Sequence, residues 1–151
     1  GVVTQFWTDV LWDVDYLLVD MPPGTGDVTL SVFQSIPLSG IVVVASPQEL
    51  VGMVVEKAVK MAEKMAVPIV GLVENMSYLV CPDCGRKIDV FGESHIEEIS
   101  EKFGYPLLGR IPLDRKLSAL CDRGMIELME NDYLDEAADK LEYACPAGEN
   151  A

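Results

Sequence analysis

Positive charge is scarce in this sequence. Eleven Lys and Arg stand against 25 Asp and Glu in 151 residues, a formal net charge of −14. So acidic a chain has little to offer nucleic-acid phosphates, whose binding rests on clustered cations, and an anionic membrane surface repels it. Long apolar runs are missing too: none approaches the roughly 20 residues of a membrane-spanning helix. No basic segment leads into an apolar stretch at the start, so no secretory signal is expected. Four cysteines, two of them spaced Cys-x-x-Cys, suit a reducing compartment and a metal or redox site better than a disulfide framework. The cytoplasm is the expected location. Repeats, linkers and low-complexity segments are also absent. With half its residues hydrophobic, the chain is expected to form one domain over residues 1–143, with 144–151 as a loose tail.

What is present is organised around Asp15–Asp27, Asp-Tyr-Leu-Leu-Val-Asp-Met-Pro-Pro-Gly-Thr-Gly-Asp. Tyr16 to Val19 form an apolar run without alternation, the pattern of a parallel strand buried on both faces. Pro22 and Pro23 stop it, since neither donates to a ladder. Gly24 and Gly26 allow the backbone to turn sharply and approach a ligand closely. Asp20 is thereby expected at the carboxyl end of a parallel strand, the usual ligand position in an open α/β sheet. A carboxylate there, followed by a glycine-bearing turn, suits a Walker B acid that holds Mg²⁺ beside a phosphate-sensing turn. The plainer reading is a buried strand, a tight turn and Asp27 as a helix N-cap.

Elsewhere strands and helices alternate, which predicts βαβ crossovers and a parallel sheet with helices on both faces. Val3, Phe6 or Trp7, Val10 and Leu11 predict a short first helix, and Asp27 is expected to cap a second over 28–35. Ile41–Val44, Ile69–Val73 and Leu107–Ile111 read as further strands. A long helix is predicted over 48–66. Leu50, Val54, Ala58, Met61 and Met65 form one apolar stripe beside Val51, Val55, Val59 and Ala62, with Glu49, Glu56, Lys60 and Glu63 opposite. Its methionines, Met53, Met61 and Met65, read as core fillers. Lys87–Phe91 reads as a short extended segment. Ser94-His95-Ile96-Glu97 matches a capping box, with Gly104 ending that helix. Two helices, near 114–123 and 132–143, complete the chain. His95 reads as an ordinary early-helix residue.

Cys81 and Cys84 lie in Cys-Pro-Asp-Cys-Gly, where Pro82 and Gly85 bend the backbone so that both sulfurs can face one atom. Structural zinc and iron–sulfur clusters usually take four protein ligands, and only two are suitably spaced here. Cys121 is expected to be a buried structural thiol on the apolar side of its helix, beside Leu117, and Cys145 falls in the tail. A twofold dimer would supply four thiolates from two such pairs. By spacing alone, zinc and iron–sulfur stand level. Asn75 and the Pro112–Asp114 turn follow predicted strands and are expected on the same sheet edge as Asp20. Asn75 carries both a donor and an acceptor for a purine edge, or is a strand-end turn residue. Asp114 reads mainly as an N-cap.

Asp-Met-Pro-Pro-Gly-Thr-Gly-Asp, together with Asn75-Met76-Ser77-Tyr78, Cys81 to Gly85 and Phe91-Gly92, closely resembles the Mrp-type (ApbC-like) iron–sulfur carrier ATPases. These belong to the deviant-Walker P-loop group that includes MinD. The resemblance runs from about Asp15 to Tyr143 and implies a P-loop NTPase fold. By its terms Asp20 organises Mg²⁺, Gly24, Thr25 and Gly26 approach the γ-phosphate, and Asp27 helps order that switch. Asn75, Pro112 and Asp114 border the adenine. Cys81 and Cys84 hold a 4Fe–4S cluster between the subunits of a homodimer, for transfer to apo iron–sulfur proteins. One family element is missing: no Gly-x-x-x-x-Gly-Lys-Ser/Thr loop occurs, so the chain is expected to be a C-terminal portion, inactive alone as an ATPase. Two alternatives stand beside this. One is a non-enzymatic zinc-binding or interaction domain derived from a P-loop ATPase. The other, a MinD-like positioning ATPase, would need a basic amphipathic C-terminal helix, whereas residues 133–143 are acidic.

Overall fold

A computed structural model describes residues 1–48 and 51–147, excepting the side chain of Val51. The expected placements of Glu49, Leu50, the Val51 side chain and residues 148–151 fall outside the described residues. A three-stranded parallel sheet organises the chain, in the order β1 (Ile41–Ala45), β2 (Ile69–Asn75), β5 (Leu107–Ile111). Val43 pairs with Leu72 and Ala45 with Glu74, while Glu74 pairs with Arg110 and Asn75 with Ile111. Between β2 and β5 the chain leaves the sheet as a small antiparallel hairpin, β3 (Leu79–Val80) and β4 (Lys87–Ile88). The expected extended segment is therefore shorter than Lys87–Phe91 and is paired.

Six α-helices are present among the described residues: α1 (Val2–Thr8), α2 (Asp27–Ser35), α3 (Val51–Lys64), α4 (Ile96–Phe103), α5 (Arg115–Asp122) and α6 (Asp135–Ala144). On one face of the sheet, Val43, Ala45 and Leu72 pack with Val55 and Val59 of α3 and Ile96 of α4. On the other, Leu141 of α6 shares a groove with Val42 and Val70, and Leu134 approaches Gly109. Helices thus cover both faces, as expected from the alternation. The buried stripe of α3 is the narrower one, Val55, Val59 and Ala62; Val54 and Met53 are exposed, so neither fills the core. On its polar side Glu56 and Lys60, one turn apart, pair at 2.6 Å, and Lys102 reaches the same carboxylate at 3.1 Å. Gly104 ends α4 in the left-handed conformation at φ 72°, which a residue without Cβ adopts at least cost.

The largest departure concerns Tyr16–Val19, which forms no strand. Leu18 is 82% exposed. The run lies along a groove of about 400 Å³ shared with residues 36–40, Val42, Val70 and Cys145, without joining the ladder. Its apolar content is that of a central strand, yet a strand exists only where a neighbour pairs with its N–H and C=O groups. Among the described residues no strand pairs with it.

Candidate functional site

The cysteine hairpin is the most sharply built feature. Its two ladder pairs, Leu79 with Ile88 and Val80 with Lys87, bring the arms together. The Cys81 N–H donates to Arg86 O at 2.9 Å, extending the pairing into the loop. The Gly85 N–H then donates to Cys81 O at 2.9 Å, and Gly85 takes φ 69° to close the turn. This tight loop directs donors at the Cys81 sulfur. The backbone N–H of Cys84, that of Asp83 and the Cys84 thiol hold the Cys81 thiol below its usual pKa. A lowered pKa favours the thiolate, the form that ligates metal.

Cys81 is half-buried and Cys84 exposed, and neither is in a disulfide. Among the described residues no group of three or more His, Cys, Asp or Glu side chains could hold a metal ion. The pair therefore offers two thiols, with no third such side chain grouped with them among the described residues. Met76, Val80, Ile88, Val90 and Phe91, in and around the same hairpin, are exposed apolar residues. Cys121 is exposed rather than buried, because the apolar side of α5 turns Leu117 inward and leaves Cys121 in solvent. Cys145 packs close to Gly40, far along the chain from the hairpin.

The residues expected at a nucleotide come from two groups of segments. Asn75 ends β2, and Pro112 and Asp114 follow β5, so these three do share the carboxyl edge of the sheet. Backbone bonds tie that edge together: the Ser77 N–H donates to Ile111 O at 2.9 Å and the Leu113 N–H to Tyr78 O at 2.7 Å. Asn75 Oδ1 accepts from the Met76 N–H at 2.9 Å, the role of a strand-end turn residue, and Met76 sits at φ 56°. Pro112 is buried. Asp114 caps α5, accepting from the N–H groups of Lys116 at 2.7 Å and Leu117 at 3.3 Å. Its other oxygen accepts from the Tyr133 hydroxyl at 3.3 Å; burial first, then this carboxylate, raises the Tyr133 pKa. Replacing Asp114 with Ala should cost about 1 kcal/mol of stability through the lost cap. A lowered urea midpoint with unchanged slope would register it.

Asp20, Gly24, Thr25, Gly26 and Asp27 lie on the exposed segment ahead of α2. No hydrogen bond or ion pair among the described residues joins them to Asn75, Pro112 or Asp114. Gly24 takes φ 88°, and its carbonyl accepts from the buried Thr29 hydroxyl at 3.2 Å. Gly26, not Asp27, is the N-cap of α2; Asp27 is one position further in and makes no capping bond, though its charge still favours the helix N-terminus.

One participant was not read from the sequence. Glu74, 1% exposed, accepts from the hydroxyls of Ser77 and Ser94, and Arg110 Nε lies 3.4 Å from it. The capping box forms only in part. Ser94 Oγ accepts the Ile96 N–H at 3.2 Å while its hydroxyl donates to Glu74, and Glu97 pairs with Arg110 at 2.5 Å instead of reaching back to the helix start. A carboxylate inside the apolar run of β2 was the available signal, since such a group must find partners.

Comparison with known proteins follows the same lines. A model of the ParA family, described as NUBPL iron-transfer P-loop NTPase, matches residues 1–144. An iron–sulfur cluster carrier protein of Pyrococcus furiosus is 45% identical over 131 residues, which are 86% of this chain and 44% of that protein. One of Escherichia coli K12 is 44% identical over 121 residues, 80% of this chain and 33% of that protein. A solved nucleotide-binding protein from Archaeoglobus fulgidus, in complex with ADP and with cobalt found in it, superposes with a TM-score of 0.80 at 44% identity. That match covers 87% of this chain and 55% of the other. This chain thus spans less than half the length of these two curated relatives.

Proposed function

Because the chain belongs to the ParA/NUBPL iron-transfer P-loop NTPase family, we propose that it is the cysteine-bearing part of an iron–sulfur cluster carrier. Cys81 and Cys84 would grip a 4Fe–4S cluster as cargo and release it to apo iron–sulfur proteins. One observation carries this reading: two converging thiols, one activated by backbone N–H groups, with no third ligand nearby among the described residues. A pair with half the ligands of a cluster is completed by an identical pair across a twofold axis. The exposed Val80, Ile88, Val90 and Phe91 give such a homodimer an apolar contact surface.

Nucleotide fits less directly. Asn75 Oδ1 and Asp114 are engaged in local turns and caps, Asp20 stands off the sheet, and no lysine-bearing phosphate loop occurs in the sequence. ATP dependence is thus proposed for the longer protein, to which this chain would lend Asp20 and Asp27 beside Mg²⁺ and Gly24–Gly26 beside phosphate. Taken alone, the chain should hydrolyse no ATP. That same observation favours a second reading for the isolated chain, a zinc-holding interaction domain.

Anaerobic reconstitution with iron and sulfide separates the two. The carrier reading expects visible sulfide-to-iron absorption and four irons per two chains, with the cluster-loaded form running as a dimer in size-exclusion chromatography. Stoichiometric zinc with no cluster under these conditions would establish the second reading in its place.

A further inference from the structure

The excursion carrying the cysteines leaves the sheet after Asn75 and returns at Ile96, where α4 begins. Its two ends are held differently. On the outgoing arm, backbone bonds from Ser77 to Ile111 and from Leu113 to Tyr78 fix the chain to the edge of β5. Between Ile88 and Ser94 the returning arm has, among the described residues, one such bond, the local Gly92 N–H to Asp89 O at 3.4 Å. Its tie to the sheet is a side chain: the Ser94 hydroxyl donates to Glu74 Oε1, twenty positions away. The second oxygen of the same carboxylate takes the Ser77 hydroxyl from the outgoing arm. Arg110, the ladder partner of Glu74 on β5, holds the carboxylate from the sheet side, and through Glu97 also reaches the first turn of α4.

The geometry points to Glu74 as a positioning residue that staples both ends of the hairpin and so sets the Cys81–Cys84 turn. This rests on the reading of the two cysteines as metal ligands. The ladder between them has only two residue pairs, too few to hold its own shape in water. Its geometry is therefore imposed where the arms leave the domain. Ile96, buried two residues past Ser94, anchors the helix, and the Ser94–Glu74 bond fixes the angle at which the arm meets it. A carboxylate suits the task because it accepts on both oxygens at once, and serine hydroxyls rotate to meet it. Glu74 bonds neither cysteine, so its removal should change metal affinity less than the roughly 10–100-fold lost with partners bonded to the ligands themselves.

The test is a Co(II) titration of the 151-residue chain under reducing conditions, read by thiolate-to-cobalt absorption, with far-UV circular dichroism reporting the fold. Glu74→Ala should weaken cobalt binding by up to about tenfold. Glu74→Gln, which keeps the shape and can still bond both hydroxyls, should recover most of it. Ser94→Ala should give a smaller loss, and decides the matter if Glu74→Ala does not fold. Val32→Ala, a truncation of a buried residue of α2 outside the cluster that holds Ile96, lowers stability generally and should leave cobalt affinity unchanged at a temperature where all variants are folded. Wild-type affinity in a folded Glu74→Ala or Ser94→Ala, or an equal loss in Val32→Ala, overturns the staple while the ligand reading stands. A wild-type chain whose cobalt spectrum is indifferent to Cys84→Ser removes the ligand reading and the staple with it.

Discussion

Cys84→Ser is expected to abolish cluster retention and leave the fold intact. Cys84 is exposed, so its sulfur contributes little packing that an oxygen would forfeit. A serine hydroxyl stays protonated at neutral pH and is a hard, weak ligand for iron in a sulfide core. In a bridged dimer the change removes two of four ligands at once. It also withdraws the thiol that faces the Cys81 sulfur and helps keep it ionised. Iron and sulfide analysis after anaerobic reconstitution should fall to background, while circular dichroism and thermal midpoint match the unaltered chain. Cys121→Ser, at an equally exposed thiol outside the hairpin, should retain the full cluster. Full iron content in Cys84→Ser would sink the assignment of this pair.

Gly71→Ala should produce the largest loss of stability. Gly71 lies in β2, the central strand, and a Cβ there would sit 2.5 Å from Pro106 O and 2.6 Å from Leu108 Cγ. The side chain of Leu108 could shift, but the backbone oxygen could not move without consequence. It accepts the Leu72 N–H at 2.9 Å, the bond that starts the β2–β5 pairing. Relief therefore requires β5 to move away from β2, opening the core around Leu72. Overpacking of this kind costs about 1–3 kcal/mol. A domain of this size would lose several degrees of thermal midpoint, at about 2–4 °C per kcal/mol. Because Glu74 and Arg110 face each other on the same two strands, the displacement should also loosen the hairpin and lower cobalt affinity. A midpoint equal to the unaltered chain would mean that the two strands lie further apart than described.

Three of the four predicted strands, and every predicted helix, were legible because each carries its own periodicity. The Ile41, Ile69 and Leu107 runs became strands within a residue or two of their expected ends. The Asp114 cap and the Gly104 stop were legible for a different reason: each depends on atoms within four residues. Tyr16–Val19 shows the limit of that logic. The run states that it suits burial on both sides but cannot state which strand will lie beside it. The capping box formed only in part. Ser94 takes the Ile96 N–H as expected, yet a guanidinium from β5 competed for Glu97 and won. Breadth of burial on α3 was overread, because apolar residues at helical spacing fix a direction and not how much of it a three-stranded sheet can cover.

By itself the sequence determined the α/β alternation, the family through strings such as Asp20–Asp27 and Cys81–Gly85, and the presence of two thiols able to meet. These are properties of short segments, where backbone geometry fixes which atoms can approach. Only the tertiary structure decided that Glu74 clasps both arms of the hairpin, that Cys121 faces water, and that Tyr16–Val19 joins no ladder. Such outcomes depend on which distant groups compete for the same donors, acceptors and apolar surface. That competition is resolved when the strands take their order, and no local pattern records it.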